Sequence, residues 1–289
     1  MSAADAAAQP GEELFARQRH SVRAVVRAPA VWIFAVLVVA AATAPLIAPY
    51  GSTEVLGGQE LLPPSQEHLF GTDANGMDVF SRVLFGAQVD LLLAVLAALL
   101  SALVGVPLGA IAGYAGGFAD SAMQRVSETI QAFPVVLLAM AVLGALGASL
   151  GLVVIVIAII NIPVYFRLVR SIVLPWRQAE FVEAARLSGN DPVSIVVRHL
   201  LPNTVLPVVA QLPVTFAWAI QIIAGLSFLG LAVKVPDAEW GLMVQQGSQY
   251  VTTGEWWVAF FPGIAIFLAV LLLTRVGSAI QRAGGGLGA

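Results

Sequence analysis

The sequence predicts an all-α polytopic membrane protein with six transmembrane helices, and three observations carry that reading. Apolar residues make up 59% of the 289-residue chain and charged residues only 11%, with a mean hydropathy of +0.89, far from the composition of a soluble domain. Six apolar runs approach the roughly 20 helical residues needed to cross a hydrocarbon core of ~30 Å. None shows the alternating ten-residue pattern of a membrane barrel, so backbone groups in lipid must find their partners within helices.

In order, the chain divides into an N-terminal tail (1–30), a first span (31–48), an outer loop (49–87), a core (88–280) and a short glycine-rich tail (281–289). The core holds spans at 89–111, 129–147, 152–169, 204–231 and 257–276. Ala42-Thr43-Ala44 resembles a small-residue cleavage site. The run before it is longer than a typical apolar signal region of about 7–15 residues and follows a mostly polar segment, so it reads as an uncleaved anchor. Pro107, Pro134, Pro163, Pro207, Pro213 and Pro262 fall inside spans, where each removes a backbone hydrogen bond. Gly105, Gly109, Gly144, Gly225 and Gly230 recur at helical spacing and let neighbouring helices approach. For any one of these positions, a hinge and ordinary bundle packing are both open.

Basic residues set the orientation, since short cytoplasmic loops carry an excess of Lys and Arg. With the N-terminus inside, Arg17, Arg19, Arg23, Arg27, Arg125, Arg167, Arg170, Arg177, Arg186, Arg198, Arg275 and Arg282 are cytoplasmic, leaving only Arg82 and Lys234 outside. The outer loops gather acids: Glu54, Glu60, Glu67, Asp73, Asp78, Asp237, Glu239 and Glu255. Both termini are therefore expected in the cytoplasm. Trp32, Tyr50, Trp176, Tyr250, Trp256 and Trp257 fall at predicted helix ends, where amphipathic rings favour the interface.

Several function classes drop out. There are no cysteines, and His20, His68 and His199 are scattered, which argues against a metal centre. Thirteen arginines and one lysine are spread along a chain of net charge −3, so nucleic acid is not an expected partner. An ion-coupled carrier needs ionisable groups in mid-membrane. Here Asp90, Glu128, Arg167 and Arg170 are placed near span ends. The polar residues inside, Gln131, Asn161, Gln211, Thr215 and Gln221, can line a wet path or bond between helices. No Gly-rich phosphate loop ending in Lys-Ser/Thr is present, and Gly284-Gly285-Gly286 has no lysine after it. Driving energy must come from another chain.

The polar stretch between the fourth and fifth spans (about 171–203) is too long for a hairpin. Apolar and charged residues alternate there at spacings of three and four, which describes short amphipathic helices. Gly189 can end the first in the left-handed conformation. Asp191 and Pro192 can start the second as N-cap and first-turn proline. The expected result is a helix-turn-helix at the cytoplasmic surface.

The residues of this stretch are Phe181-Val182-Glu183-Ala184-Ala185, Gly189 and Arg198-His199-Leu200-Leu201-Pro202-Asn203, with Tyr165-Phe166-Arg167-Leu168-Val169-Arg170 upstream. They resemble the EAA loop of permease subunits of bacterial ATP-binding-cassette importers. The wider pattern resembles the dipeptide/oligopeptide/nickel permeases, through His68-Leu69-Phe70-Gly71-Thr72-Asp73, Gly76-Met77-Asp78-Val79-Phe80-Ser81-Arg82, Ala132-Phe133-Pro134, Leu226-Ser227-Phe228-Leu229-Gly230-Leu231 and Glu239-Trp240-Gly241. The Gly-Thr-Asp signature and the long outer segment look like the C-type member of the permease pair. Met77 stands where the family usually has arginine, and Thr274-Arg275-Val276-Gly277-Ser278 lacks the usual asparagine and aspartate.

The resemblance implies a type I importer permease (MetI-like) fold and a role as half of a translocation path for short peptides. Nickel or another small solute is the alternative cargo, and an ion-coupled secondary transporter is the alternative outside the class. It implies no catalytic residue and no cofactor on this chain, with ATP and Mg2+ used by partner ATPase subunits. Glu183 would pair with an ATPase, Ala184 and Ala185 would allow its close approach, Gly189 would set the turn, and Arg186, Asp191 and Pro192 would complete the coupling set. The implied partners are a second, B-type permease, two ATPases, an extracytoplasmic solute-binding protein and the lipid of a bacterial plasma membrane. Asp73, Asp78, Asp237, Glu239 and Trp240 are the expected docking residues for the solute-binding protein, since acids beside large aromatics suit an interface core.

Overall fold

The computed structural model describes residues 28–285, with side chains through residue 283. The expected N-terminal tail, with Arg17, Arg19, His20, Arg23 and Arg27, and the last four residues lie outside the described residues. The helices are α1 (Pro29–Ala42), α2 (Ala44–Ile47), α3 (Val79–Ala115), α4 (Gly117–Ala132), α5 (Val135–Leu146), α6 (Leu150–Trp176), α7 (Glu180–Leu187), α8 (Pro192–Ile195), α9 (Leu201–Phe228), α10 (Trp240–Ser248) and α11 (Trp257–Gly285). A π turn, Val196–Leu200, joins α8 to α9. Among the described residues there is no β-strand, only one isolated bridge between Thr72 and Asp78.

Among the described residues, four stretches are long and apolar enough to cross a membrane: α3, α6, α8 through α9, and α11. The span expected at 129–147 is instead two helices, α4 and α5, bent by 87°. The cause is local. Phe133 precedes Pro134 and is extended (φ −84°, ψ 139°), as a residue before proline prefers. The remaining span prolines stay within continuous helices. The first expected span, 31–48, is the 14-residue α1 followed by the short α2.

Two boundaries move for identifiable reasons. The expected outer loop 49–87 stops at Asp78, whose carboxylate accepts from the Ser81 amide at 2.8 Å and caps α3. Helix α3 thus gains a turn or more over the expected 89–111 and, at 37 residues, is about 55 Å long. Asp191 caps α8 through the Ser194 amide at 3.1 Å, and Pro192 opens a helix that continues into α9. The second arm of the expected helix-turn-helix is therefore the start of a span.

Helices α3 and α6 run side by side in the same direction. The neighbours of Gly105, Gly109 and Gly113 climb in step from Ile162 through Phe166 to Val173. A Cβ on Gly109 would sit 2.4 Å from the Phe166 carbonyl oxygen, and one on Gly105 would sit 2.7 Å from that of Ile162. The same seam carries Ser101, whose hydroxyl donates to Ala97 O at 2.6 Å and lies 3.1 Å from Ala158 O on α6. Two parallel neighbours need a return path, and the bent α4–α5 pair supplies it.

The seam predicts an asymmetric response to added methyl groups. Gly109→Ala should lower stability in detergent by about 1–3 kcal/mol, the range for overpacking against fixed backbone. Gly144→Ala, where a Cβ meets only open space, should leave the thermal unfolding midpoint unchanged.

Candidate functional site

At one end of α3 and α6 sits α7, an eight-residue helix with two unlike faces. Val182 and Ala185 are buried in an apolar cluster with Ala110 of α3, Val169 and Val173 of α6, and Ile195, Val196 and Leu200. The opposite face, with Glu183, Ala184 and Leu187, is exposed. Gly189 takes φ +82°, and the Asn190 amide reaches back to Ala185 O at 3.2 Å, closing the helix as a left-handed C-cap does. Asp191 and Pro192 follow on the exposed side.

Of the expected coupling set, Ala185 turns inward, and Arg186, though exposed, is engaged by its own chain. Ala185 packs inside this chain, so it cannot also form the approach surface for a partner. Arg186 donates through Nε to the Tyr114 hydroxyl at 3.1 Å, and its guanidinium carbon lies 5.0 Å from the centroid of the Tyr114 ring. The exposed apolar residues Phe181, Leu187 and Val193 extend the outward surface. They escaped the sequence reading because a lone apolar residue near a charged helix looks like core.

Between the ends lies a cavity of about 260 Å³ that gathers four of the five polar span residues: Gln131 of α4, Asn161 of α6, and Gln211 and Thr215 of α9. Gln211 and Thr215 are four apart and share a helical face. The Tyr165 hydroxyl donates to Thr215 Oγ1 at 3.0 Å, and Asn161 donates to Ile157 O at 3.1 Å, which holds these side chains at the wall. Trp218 and Val164 supply apolar lining. Gln221 lies elsewhere, exposed on α9.

At the other end Asp73, Asp78 and Glu239 are folded in, while Glu54, Glu60 and Glu67 stay exposed. Of the five residues expected to receive the solute-binding protein, only Asp237 is exposed. Asp73 accepts from the amides of Asn75 and Met77 and lies 3.6 Å from Arg82 Nε. Asp78 caps α3 and meets His68 Nδ1 at 2.9 Å. Glu239 is fully buried and caps α10 through the Gly241 and Leu242 amides at 2.9 and 2.7 Å. Trp240, 1% exposed, donates from its indole to Val83 O at 2.9 Å and from its amide to Asp90 at 3.0 Å. These four side chains hold the loops at this end on α3 and do not present themselves to a docking partner. Asp90, expected near a span end, lies well inside α3 as the acceptor for that amide. Trp257 is also turned inward and donates to Thr72 O at 3.2 Å, so it is no interfacial anchor.

A multi-pass helical bundle with a bent span, a small, mostly apolar cavity that gathers four polar side chains and a knob exposed at one end fits a membrane transport subunit. Residues 105–283 match the family of binding-protein-dependent transport system inner membrane components, and the chain belongs to that family. It is 36% identical over 277 residues to the dipeptide transport system permease protein DppC of Alkalihalophilus pseudofirmus, covering 96% of this chain and 90% of the relative. It is 42% identical over 248 residues to the glutathione transport system permease protein GsiD of Shigella flexneri, covering 86% and 82% of the two chains.

Because the chain has no cysteine, single-cysteine labelling reads the cavity directly. Gln211→Cys and Gln131→Cys should react with a hydrophilic maleimide, whereas Ile157→Cys, fully buried, should stay unlabelled. Trp240→Ala should cost about 3–5 kcal/mol, as expected for truncating a buried indole, read as a lower unfolding midpoint in detergent.

Proposed function

We propose that this chain is the C-type permease of an ATP-driven importer of short peptides, with the α7 end of the bundle in the cytoplasm. The observation that carries the reading is the two-faced α7. One side is sealed onto the ends of α3 and α6, and the other offers Glu183, Ala184 and Leu187 to a partner. A partner that grips the exposed face can thereby push on two spans at once. The names of the relatives support peptides as the cargo class, and the basic residues at the α7 end support the orientation.

In this reading Glu183 gives a charge-assisted hydrogen bond or ion pair to an ATPase subunit, and Asp191 and Pro192 complete the docking surface beyond the Gly189 turn. ATP and Mg2+ are consumed by two ATPase subunits. A second, B-type permease completes the path, and an extracytoplasmic solute-binding protein delivers the peptide to the outer end, meeting it near Asp237. Gln131, Asn161, Gln211 and Thr215 line this chain's half of the path. Amide and hydroxyl groups set among a mostly apolar lining offer hydrogen bonds to peptide groups without a fixed charge, which suits a tolerant passage whose selectivity lies in the delivering protein. The tail at 1–30, the outer segment after the first span and the core with its docking loop are the working divisions of the chain.

Uptake of a labelled dipeptide into vesicles containing the whole complex tests this. Wild type should accumulate peptide only with ATP. Glu183→Lys should reduce both ATPase association and uptake by about tenfold or more, the scale for breaking a desolvated interfacial charge contact. ATP-independent accumulation by wild type, or full activity of the Glu183→Lys complex, would refute the assignment.

A further inference from the structure

Resting on that reading, we infer that Tyr114 and the Asp120–Arg170 ion pair form a polar relay that carries displacement of α7 into the half-helix α4 and so to the cavity wall. Tyr114 is a positioning residue in this relay, touching neither the ATPase surface nor the cavity. It lies in the last turn of α3, half-buried, with Arg186 of α7 both hydrogen-bonded to its hydroxyl and stacked over its ring.

Immediately beyond Tyr114 the backbone changes direction at two consecutive glycines in the left-handed region, Gly116 (φ +64°) and Gly117 (φ +61°). A side chain at Gly116 would collide with the Arg177 guanidinium, 2.0 Å from the place of a Cβ, so this junction is closely covered from α6's end. Three residues past the junction, Asp120 on α4 forms a two-pronged ion pair with Arg170 on α6, through Nε to one carboxylate oxygen and through Nη2 to the other at 2.6 Å. The Arg177 charge also acts favourably on the Asp120 carboxylate. A bidentate guanidinium–carboxylate pair fixes orientation as well as distance.

The joined elements also bear the cavity. Helix α4 ends beside Gln131, and α6 carries Asn161. The apolar cluster beneath α7 seats that helix on α3 and α6 but does not reach α4. The contact from α7 to Tyr114, the glycine junction and the Asp120–Arg170 pair form a continuous line to it. Tilting α7 pulls on the end of α3 through Arg186. The adjoining junction, built from residues free to adopt positive φ, is where the strain is released, and the ion pair decides how α4 moves against α6.

The test uses the full complex in proteoliposomes, with ATPase co-purification, ATP hydrolysis and peptide uptake measured on each variant. Tyr114→Leu and Asp120→Asn should leave ATPase association and ATP hydrolysis within about twofold of wild type while peptide moved per ATP falls about tenfold, within the usual range of coupling between sites. Tyr114→Phe, which keeps the ring under Arg186, should restore most of the transport lost in Tyr114→Leu. Unchanged uptake in both Tyr114→Leu and Asp120→Asn would overturn the relay, as would loss of ATPase binding in Tyr114→Leu, which would place Tyr114 in the docking surface. Either result leaves the importer reading intact, because that reading fails on separate outcomes: uptake by the wild-type complex that does not depend on ATP, or full activity of the Glu183→Lys complex.

Discussion

Backbone contact between α3 and α6 is the constraint on which the rest of the molecule depends. In lipid there is little hydrophobic gain from bringing two apolar helices together, so close packing and cross-helix hydrogen bonds must do it. Gly105, Gly109 and Gly113 present a seam without side chains, where the α6 backbone sits at distances no Cβ would tolerate. Ser101 adds a polar contact to the same line. Once these helices lie parallel, the chain between them must return across the bundle, and the bend at Phe133-Pro134 shapes that return. The cavity walls, α4, α6 and α9, are consequences of this arrangement.

The ends of the seam are finished differently. At the α10 end, buried carboxylates meet backbone amides, an imidazole and a guanidinium: Asp73, Asp78 and Glu239 each close a turn or cap a helix. Phe70 stacks on Phe261 with centroids 3.9 Å apart, tying the same loop to α11. At the α7 end the inner face is apolar and the outer face charged, with Arg186 bridging the two. The first end is locked to its own chain. The second leaves a surface that can be gripped and groups that can transmit the load.

Much of this was legible in the sequence, because hydropathy reports spans and capping residues report ends. The α7 turn followed from Gly189, and the start of α8 from Asp191-Pro192. Four cavity residues were legible as polar groups in apolar surroundings, since such groups must line water or pair. What escaped was whatever depends on pairing at long range. Arg82 reads as loop and Asp90 as a span end, yet Arg82 donates to the carbonyls of Pro236 and Asp237 on the approach to α10, and Asp90 accepts from the Trp240 amide. Acidity alone marked Asp73, Asp78 and Glu239 as surface, though Asp78 followed by Ser81, and Glu239 before Gly241, are also capping patterns. The role of Ala185 turned on which face of α7 met the bundle, and periodicity leaves that choice open. Tyr114 carried no local sign at all.

Helix α3 is about 55 Å long, well over the ~30 Å of hydrocarbon a bilayer offers. Such a rod overhangs the membrane whatever the local thickness, so lipids a few ångströms longer or shorter change where its shaft is wetted and not whether it crosses. The two ends therefore keep a fixed separation set by the rod itself. The distance between the two differently finished ends is thus gauged by protein rather than by the host membrane.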